Sequence, residues 1–516
     1  PEDGAPPFTF VELSGLPSGR GEPEALRLAA AVAAQPFDLA RGPLLRAALV
    51  RLTSTGSEHV LLLALHHIIA DGWSLALLVR EIAELLVDRT DRTDRSDTTL
   101  QYADFAVWQR QWLGDRGERE LEHWRALLAG VPLRLELPAD RPRLSVATGA
   151  EDPAGRYATS LTAAVQARLG ELARRTSVTP FMVQLAAFEV LLQRLTGQER
   201  LVVGIPVANR LQPEVEGIVG LFVNTLPLPA DLRNDPPLPE LLARVREVTL
   251  GAFAHSQVPF EQLVEALQPE RSLEHEPVVQ VMLVLQNATR PAFAAAGLGR
   301  VETPGLRFEP LAMSAMSAAA AKLDLVVELS DTSDGLAATW DYRSRLFEPA
   351  TVVRWARGYA NLLAAMTAGS AAPAGLAAPP RLSALEMLAS GERHQMLVEW
   401  GGTATAYPRE QGLYELFAAQ AAADPGAVAL VTGGTGKTAT YGELAARAGE
   451  LAARLLSLGV APDSLVAICF ERSPALIEAM LAVLRAGGAY VPLDPAQPPQ
   501  RLAAMLDDLA LADPGR

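Results

Sequence analysis

At 516 residues the chain is too long for one compact core, and at roughly 100–200 residues per domain it is expected to form several units. Apolar residues make up 49% and charged residues 20%, a globular balance, while a formal charge of −15 with no dense Lys/Arg tract argues against a nucleic-acid partner. The single cysteine, Cys469, excludes an internal disulfide framework and a multi-cysteine zinc site, and makes the cytoplasm the expected compartment.

The chain opens on "PEDGAPPFTF", which has neither a basic start nor a hydrophobic signal core, and nowhere does an apolar run approach the about 20 residues needed to cross a bilayer. No membrane partner is expected. A start at Pro1 and a stop at "LADPGR" after a helical pattern suggest a piece of a longer protein.

"EHVLLLALHH" is an apolar run of strand length, and Leu75, Leu78, Val79 and Ile82 beyond it are spaced for one helix face. His66 and His67 therefore sit where a strand gives way to a loop. The polar, charge-alternating "DRTDRTDRSD", Asp88 to Asp97, has nothing to bury and reads as a mobile surface loop. "QYADFAVWQRQWL" through "LEHWRALLAG" is helical, and "LPADRPRLSVATGAEDPAG" then marks a lobe boundary by its proline, glycine and small polar residues.

Ser160 precedes Leu161, Val165, Leu169 and Leu172 at helical spacing, and Thr179-Pro180 supplies the cap and first-turn proline of a second helix ending near Gly197. Strand "LVVGI" follows, and helices and strands alternate to about Met366, giving a second α/β lobe. "AGSAAPAGLAAPPRLS" reads as a linker, and "MLVEWGGTATAYP" leads into a last unit of helix, hairpin, helix, strand, helix and turn. The expected division is 1–150 and 151–372 for the two lobes, 373–410 for the linker and 411–516 for the last unit.

Two motifs invite chemistry. "VTGGTGKT" follows an apolar strand, but a phosphate loop ending at Thr438 would need glycine where Val431 stands, and "TATY" after it looks like a strand where a helix should begin. A glycine-rich hairpin turn is the better reading. In "LALHHIIADGWS", each residue by itself has a plain structural explanation: a core histidine, Asp71 as the helix cap and Gly72 easing the turn. No metal is expected, because adjacent strand residues point to opposite faces and His66 and His67 cannot readily share one ion.

The whole string is more specific than its parts. His66, His67, Ile68, Ile69, Ala70, Asp71 and Gly72 resemble the H-H-x-x-x-D-G signature of the condensation domains of nonribosomal peptide synthetases. "FDLARGPLLRAALVRL", "YADFAVWQRQWL", "LPADRPR", "VGIPVANRLQPEVEGIVGLFVNTLPL", "HSQVPFEQLVEAL" and "EPVVQVMLVLQN" match in family order, over about Phe37 to Met366. "LYELFAAQAAADPGAVAL", "TYGELAARAGELAARLLSLGV" and "LAVLRAGGAYVPLDPAQPPQRL" are similar to the beginning of an adenylation domain.

The resemblance implies an α/β, two-lobed, chloramphenicol-acetyltransferase-like V-shaped condensation domain, followed by an α/β fragment of an adenylate-forming domain. The motif begins earlier than is usual in the family, so a truncated N-lobe is expected. It implies amide synthesis: the α-amine of an acceptor aminoacyl thioester attacks a donor thioester, the L-donor type being expected. The partners implied are upstream donor and downstream acceptor peptidyl carrier domains and the adenylation domain. Substrates would arrive on 4'-phosphopantetheine, with no cofactor bound by this domain, and the tail would lack its ATP-binding loop and be too short to adenylate.

By residue-wise transfer His67 faces the tunnel, as a general base or as a group that positions the amine. The Gly72 amide is a candidate donor to the tetrahedral oxyanion. His66 packs, Asp71 pairs with Arg210, and Trp73 and Ser74 complete the motif. An epimerization domain shares the paired histidines but usually carries valine after Asp-Gly and a tryptophan after the serine, whereas here Trp73 precedes Ser74. A noncatalytic carrier-recruiting platform is the remaining alternative.

Overall fold

A computed structural model of the chain describes residues 7–17, 19–53, 57–87, 100–143, 154–267, 275–286, 301–303, 306–308, 311, 321–332, 335–368, 379–402, 405–433 and 436–512. The charge-alternating stretch 88–97 lies outside the described residues. Two compact units are present, Pro1–Glu399 and Trp400–Arg516.

The first unit holds two main sheets. The smaller has the order β1 (Phe8–Glu12), β2 (Leu45–Arg51), β3 (His59–Leu65), with β1 parallel and β3 antiparallel to β2. The expected strand therefore ends at Leu65, one residue before the histidines. The helix Gly72–Val87 follows, and the helix Tyr102–Leu127 covers the second helical stretch read from the sequence except for Gln101, its N-cap, and the turn Leu128–Gly130.

The larger sheet contains β4 (Ala154–Thr162), β5 (Arg200–Val207), β6 (Asn224–Asp231) and β7 (Val281–Leu285). After the short pair β8 (Val301–Thr303) and β9 (Leu306–Phe308), it is completed by β10 (Leu325–Thr332) and β11 (Gly335–Arg343), in the order β4-β11-β10-β7-β5-β6. Ser160 and Leu161 do not open a helix. They pair with Ala337 and Leu336 in the β4–β11 ladder, and the helix Ala163–Thr176 begins only after Thr162. Ladder hydrogen bonds outweigh the helical spacing of the apolar residues there.

At the centre lies the helix Pro180–Thr196, in which Met182 through Leu192 are all buried, so it is enclosed on every side rather than amphipathic. Thr179 caps it by accepting the Met182 amide at 3.2 Å, and Gly197, at φ 72°, ends it in the left-handed conformation that glycine adopts without strain. The core of this sheet also takes Trp124, Leu128, Val131, Leu135 and Leu137 from before the expected division at 150. Within the expected linker, the described stretch around Leu382 and Leu385 is docked: both leucines are buried in this core, and Leu382 N–H donates to Pro236 O at 3.2 Å.

In the second unit, β12 (Val428–Val431) and β13 (Thr438–Thr440) form an antiparallel hairpin, with Thr432 N–H donating to Lys437 O at 2.8 Å. β14 (Leu465–Cys469) pairs in parallel with β15 (Ala489–Leu493), which occupies the place read as a final turn, and the helix Pro499–Ala512 follows. A five-residue strand beside two glycines leaves little periodicity to detect.

Candidate active site

The corner after β3 is a tight turn. His66 N–H donates to Leu44 O at 3.0 Å, Ile69 N–H donates to His66 O at 3.1 Å, and Ile68 N–H donates to His66 Nδ1 at 3.1 Å. Accepting an amide at Nδ1 places the proton of a neutral His66 ring on Nε2. The same ring meets Phe37 edge-on at 5.9 Å between centroids. His67, by contrast, is exposed, and no described residue holds its ring by a hydrogen bond.

Asp71 closes the turn and caps the next helix: its Oδ1 accepts the Ser74 amide at 2.8 Å and the Ser74 hydroxyl lies at the same distance. Gly72 is already helical, so its role is not a glycine-only backbone angle; it is an exposed residue in the first turn, at the positive end of the helix dipole. The structure brings Asp71 and Arg210 together, 139 residues apart. Arg210 Nη2 donates to Asp71 Oδ1 at 3.2 Å and to Ser74 Oγ at 2.9 Å, while Nη1 donates to Val215 O at 2.6 Å and Ile218 O at 2.7 Å. The two ionic side chains are 2% and 0% exposed.

Burial pulls the Arg210 guanidinium below its ordinary range, and the Asp71 carboxylate opposes that shift. The guanidinium also lies over the Phe222 ring, 4.0 Å from its centroid. Arg210 Nε is buried without a partner among the described residues, which makes a neutral replacement for Asp71 still less tolerable.

Several participants have no assigned role in the sequence reading. The Ser74 hydroxyl accepts from the Gly220 amide at 3.0 Å and can give its one proton to Asp71 Oδ1 or to Gly220 O, each 2.8 Å away. Phe222 N–H donates to Asp71 Oδ2 at 3.1 Å, Trp73 Nε1–H to Glu216 O at 2.8 Å, and Tyr102 O–H to Leu221 O at 2.8 Å. Tyr102 is pushed above the ordinary phenol range by burial first and by Asp71 second, with Arg210 acting against this, so it remains a donor at neutral pH. The only available signal was that "YADFAVWQRQWL" and "GIVGLFVN" belong to the same ordered set of motifs. Their contact is not encoded in spacing.

Further along, Asn224 ties this segment to the "HSQVPF" turn: Nδ2 donates to Ser256 O and Val258 O, at 2.8 and 2.6 Å, and Oδ1 accepts the Phe260 amide at 3.0 Å. Among the described residues no cluster of His, Cys, Asp or Glu could hold a metal ion, and no single helix is long and apolar enough to cross a membrane.

The site is thus an exposed histidine on the turn that leaves the three-stranded sheet, tied by a buried ion pair to Arg210, which follows a strand of the six-stranded sheet. Residues 10–377 match the family model described as the condensation domain, and residues 417–512 match that of the AMP-binding enzymes. The chain belongs to the condensation-domain family of the nonribosomal peptide synthetases and carries part of an AMP-binding segment after it.

Among similar proteins, one of the linear gramicidin synthases of Brevibacillus parabrevis is 41% identical over 98% of this chain, which spans 9% of that protein's length. Phosphinothricin tripeptide synthetase PhsB of Streptomyces viridochromogenes is 40% identical over 97% of the chain and 41% of its own length. The structure of holo-AB3403, a four-domain nonribosomal peptide synthetase bound to AMP and glycine, matches with a TM-score of 0.65 at 23% identity, over 98% of this chain and 37% of that one. The X-domain from teicoplanin biosynthesis matches with a TM-score of 0.62 at 28% identity, over 74% of this chain and 81% of its own.

Proposed function

We propose that this chain forms an amide between two thioester-borne acyl groups. The neutral α-amine of the acceptor aminoacyl thioester attacks the donor thioester carbonyl, the C–N bond forms, the C–S bond breaks, and the donor's pantetheine departs as the thiol. Both substrates are read as arriving on 4'-phosphopantetheine arms of carrier domains, donor upstream and acceptor downstream, with an L-configured donor. The observation that carries this reading is the exposed His67 ring on a corner whose neighbours His66, Asp71 and Ser74 are all tied.

A free α-amine has a pKa of about 7.7–8.0, so an appreciable fraction is neutral near pH 7 and full deprotonation beforehand is not required. The amine loses its proton as the bond forms. His67 is suited to take that proton and pass it to the departing thiolate, or to hold the amine in line. The Gly72 amide at the helix start is the candidate donor to the oxyanion. A reducing, cytoplasmic setting belongs to the same reading, with Cys469 exposed and unpaired.

The test mixes the chain with aminoacylated donor and acceptor carriers and measures dipeptidyl carrier by intact-mass spectrometry. Dipeptide on the downstream carrier, lost in His67→Ala, is the expected result. Racemised but unjoined aminoacyl carrier would support an epimerization domain instead. The likeness to the teicoplanin X-domain, which is also known in complex with OxyB, favours a second reading as a recruiting platform. Carrier binding with no product from several carrier pairs would support it.

A further inference from the structure

The corner that presents His67 is held from behind by three consecutive residues of the other lobe, and one side chain engages all three. The Gly220 amide donates to the Ser74 hydroxyl at 3.0 Å, and the Gly220 carbonyl lies 2.8 Å from the same oxygen, sharing its one proton with Asp71 Oδ1. Leu221 offers its carbonyl to Tyr102, and Phe222 gives its amide to Asp71 and its ring face to Arg210. Tyr102 donates its hydroxyl to Leu221 O at 2.8 Å and meets the Phe222 ring edge-on at 5.2 Å. It presses so closely on Gly220 that a Cβ there would fall 2.1 Å from Tyr102 Cδ2.

We propose that Tyr102 is a positioning residue for His67: by clamping residues 220–222 it fixes the backbone groups that hold Asp71 and Ser74, and so fixes the turn that carries the imidazole. The proposal rests on the reading of His67 as the group that meets the amine, but the rigidity of the corner can be measured without turnover. Phe105, 4.6 Å from Phe222 between centroids, supports the same aromatic cluster and would maintain the fold when only the phenol oxygen is removed.

The experiment compares the full chain with Tyr102→Phe and Gly220→Ala. Amide hydrogen exchange of the peptide covering residues 66–72 should accelerate about five- to tenfold in Tyr102→Phe, the loss expected for one hydrogen bond, with the β4–β11 ladder unchanged. Gly220→Ala should act in the same direction and more strongly.

In carrier assays Tyr102→Phe should lower kcat with KM for the carriers unchanged, because it acts through the placement of the His67 ring and not through carrier binding. Unaltered exchange at residues 66–72, or a raised carrier KM with kcat unchanged, would overturn the proposal. If the unmodified chain makes no dipeptide, the amide-forming reading fails and hydrogen exchange still decides the role of Tyr102: acceleration confined to the corner supports it and no change rejects it.

Discussion

His67 and Asp71 stand four positions apart and meet opposite surroundings, one exposed and one 3% exposed. Their variants should therefore fail differently. Asp71→Ala leaves Arg210 charged and buried, with Val215 O and Ile218 O as its remaining backbone acceptors, and removes the cap at the Ser74 amide. A loss of about 3–5 kcal/mol in urea denaturation is expected, with activity falling alongside it. His67→Ala removes an exposed ring that no described residue holds, so stability should change by less than about 0.5 kcal/mol while dipeptide formation collapses. Equal destabilisation in the two variants would contradict this separation of roles.

The helix Pro180–Thr196 carries a polar burden that its apolar surroundings do not relieve. Glu189 lies within it, and burial pushes its carboxyl up to about 8. Its folded value stands above the unfolded value of 4.5, so the folded chain keeps a proton that the unfolded chain releases. The resulting stabilisation is complete below pH 4.5 and drains away as pH climbs toward 8, at about 1.4 kcal/mol per pH unit, levelling beyond it. Glu189→Gln has no proton to lose. Its denaturation midpoint should stay flatter between about pH 5 and pH 8, and it should exceed the unsubstituted chain at the alkaline end. Parallel curves for the two proteins would show that Glu189 has another partner when folded.

At the scale of the whole molecule, the boundary that matters for stability is the one after the docked segment. Leu382 and Leu385, each 4% exposed, sit in the core beneath the larger sheet, and Arg194 donates to Leu382 O at 2.7 Å. Asp235 accepts from both the amide and the hydroxyl of Ser383 at 2.7 Å. A chain ending at residue 378 loses these contacts, whereas one ending at 399 keeps them and still matches the first compact unit. The shorter form should be less stable by about 3–6 kcal/mol, the burial of two leucines, and thermal unfolding of the two truncations compares them directly. Equal melting temperatures would mean that the segment contributes nothing despite its burial.

What the sequence determined by itself was local. Thr179-Pro180 and Gly197 bound a helix because capping and left-handed termination act within four residues, and Val431 in place of a glycine was enough to dismiss a phosphate loop in favour of the hairpin that forms. The histidine corner, too, was legible as a strand end, a turn and a cap, and the ordered motifs pointed to the family to which the chain belongs. The tertiary structure decided what lies behind that corner. Ser160 and Leu161 joined a strand because Ala337 and Leu336, far along the chain, offered them a ladder. Gly220 reached Ser74, Phe222 reached Asp71 and Tyr102 reached Leu221, each across more than a hundred residues. Helical spacing and capping are readable from neighbours along the chain. A carboxylate's partners across two lobes depend on which surfaces pack, and that is settled only when the whole core has formed.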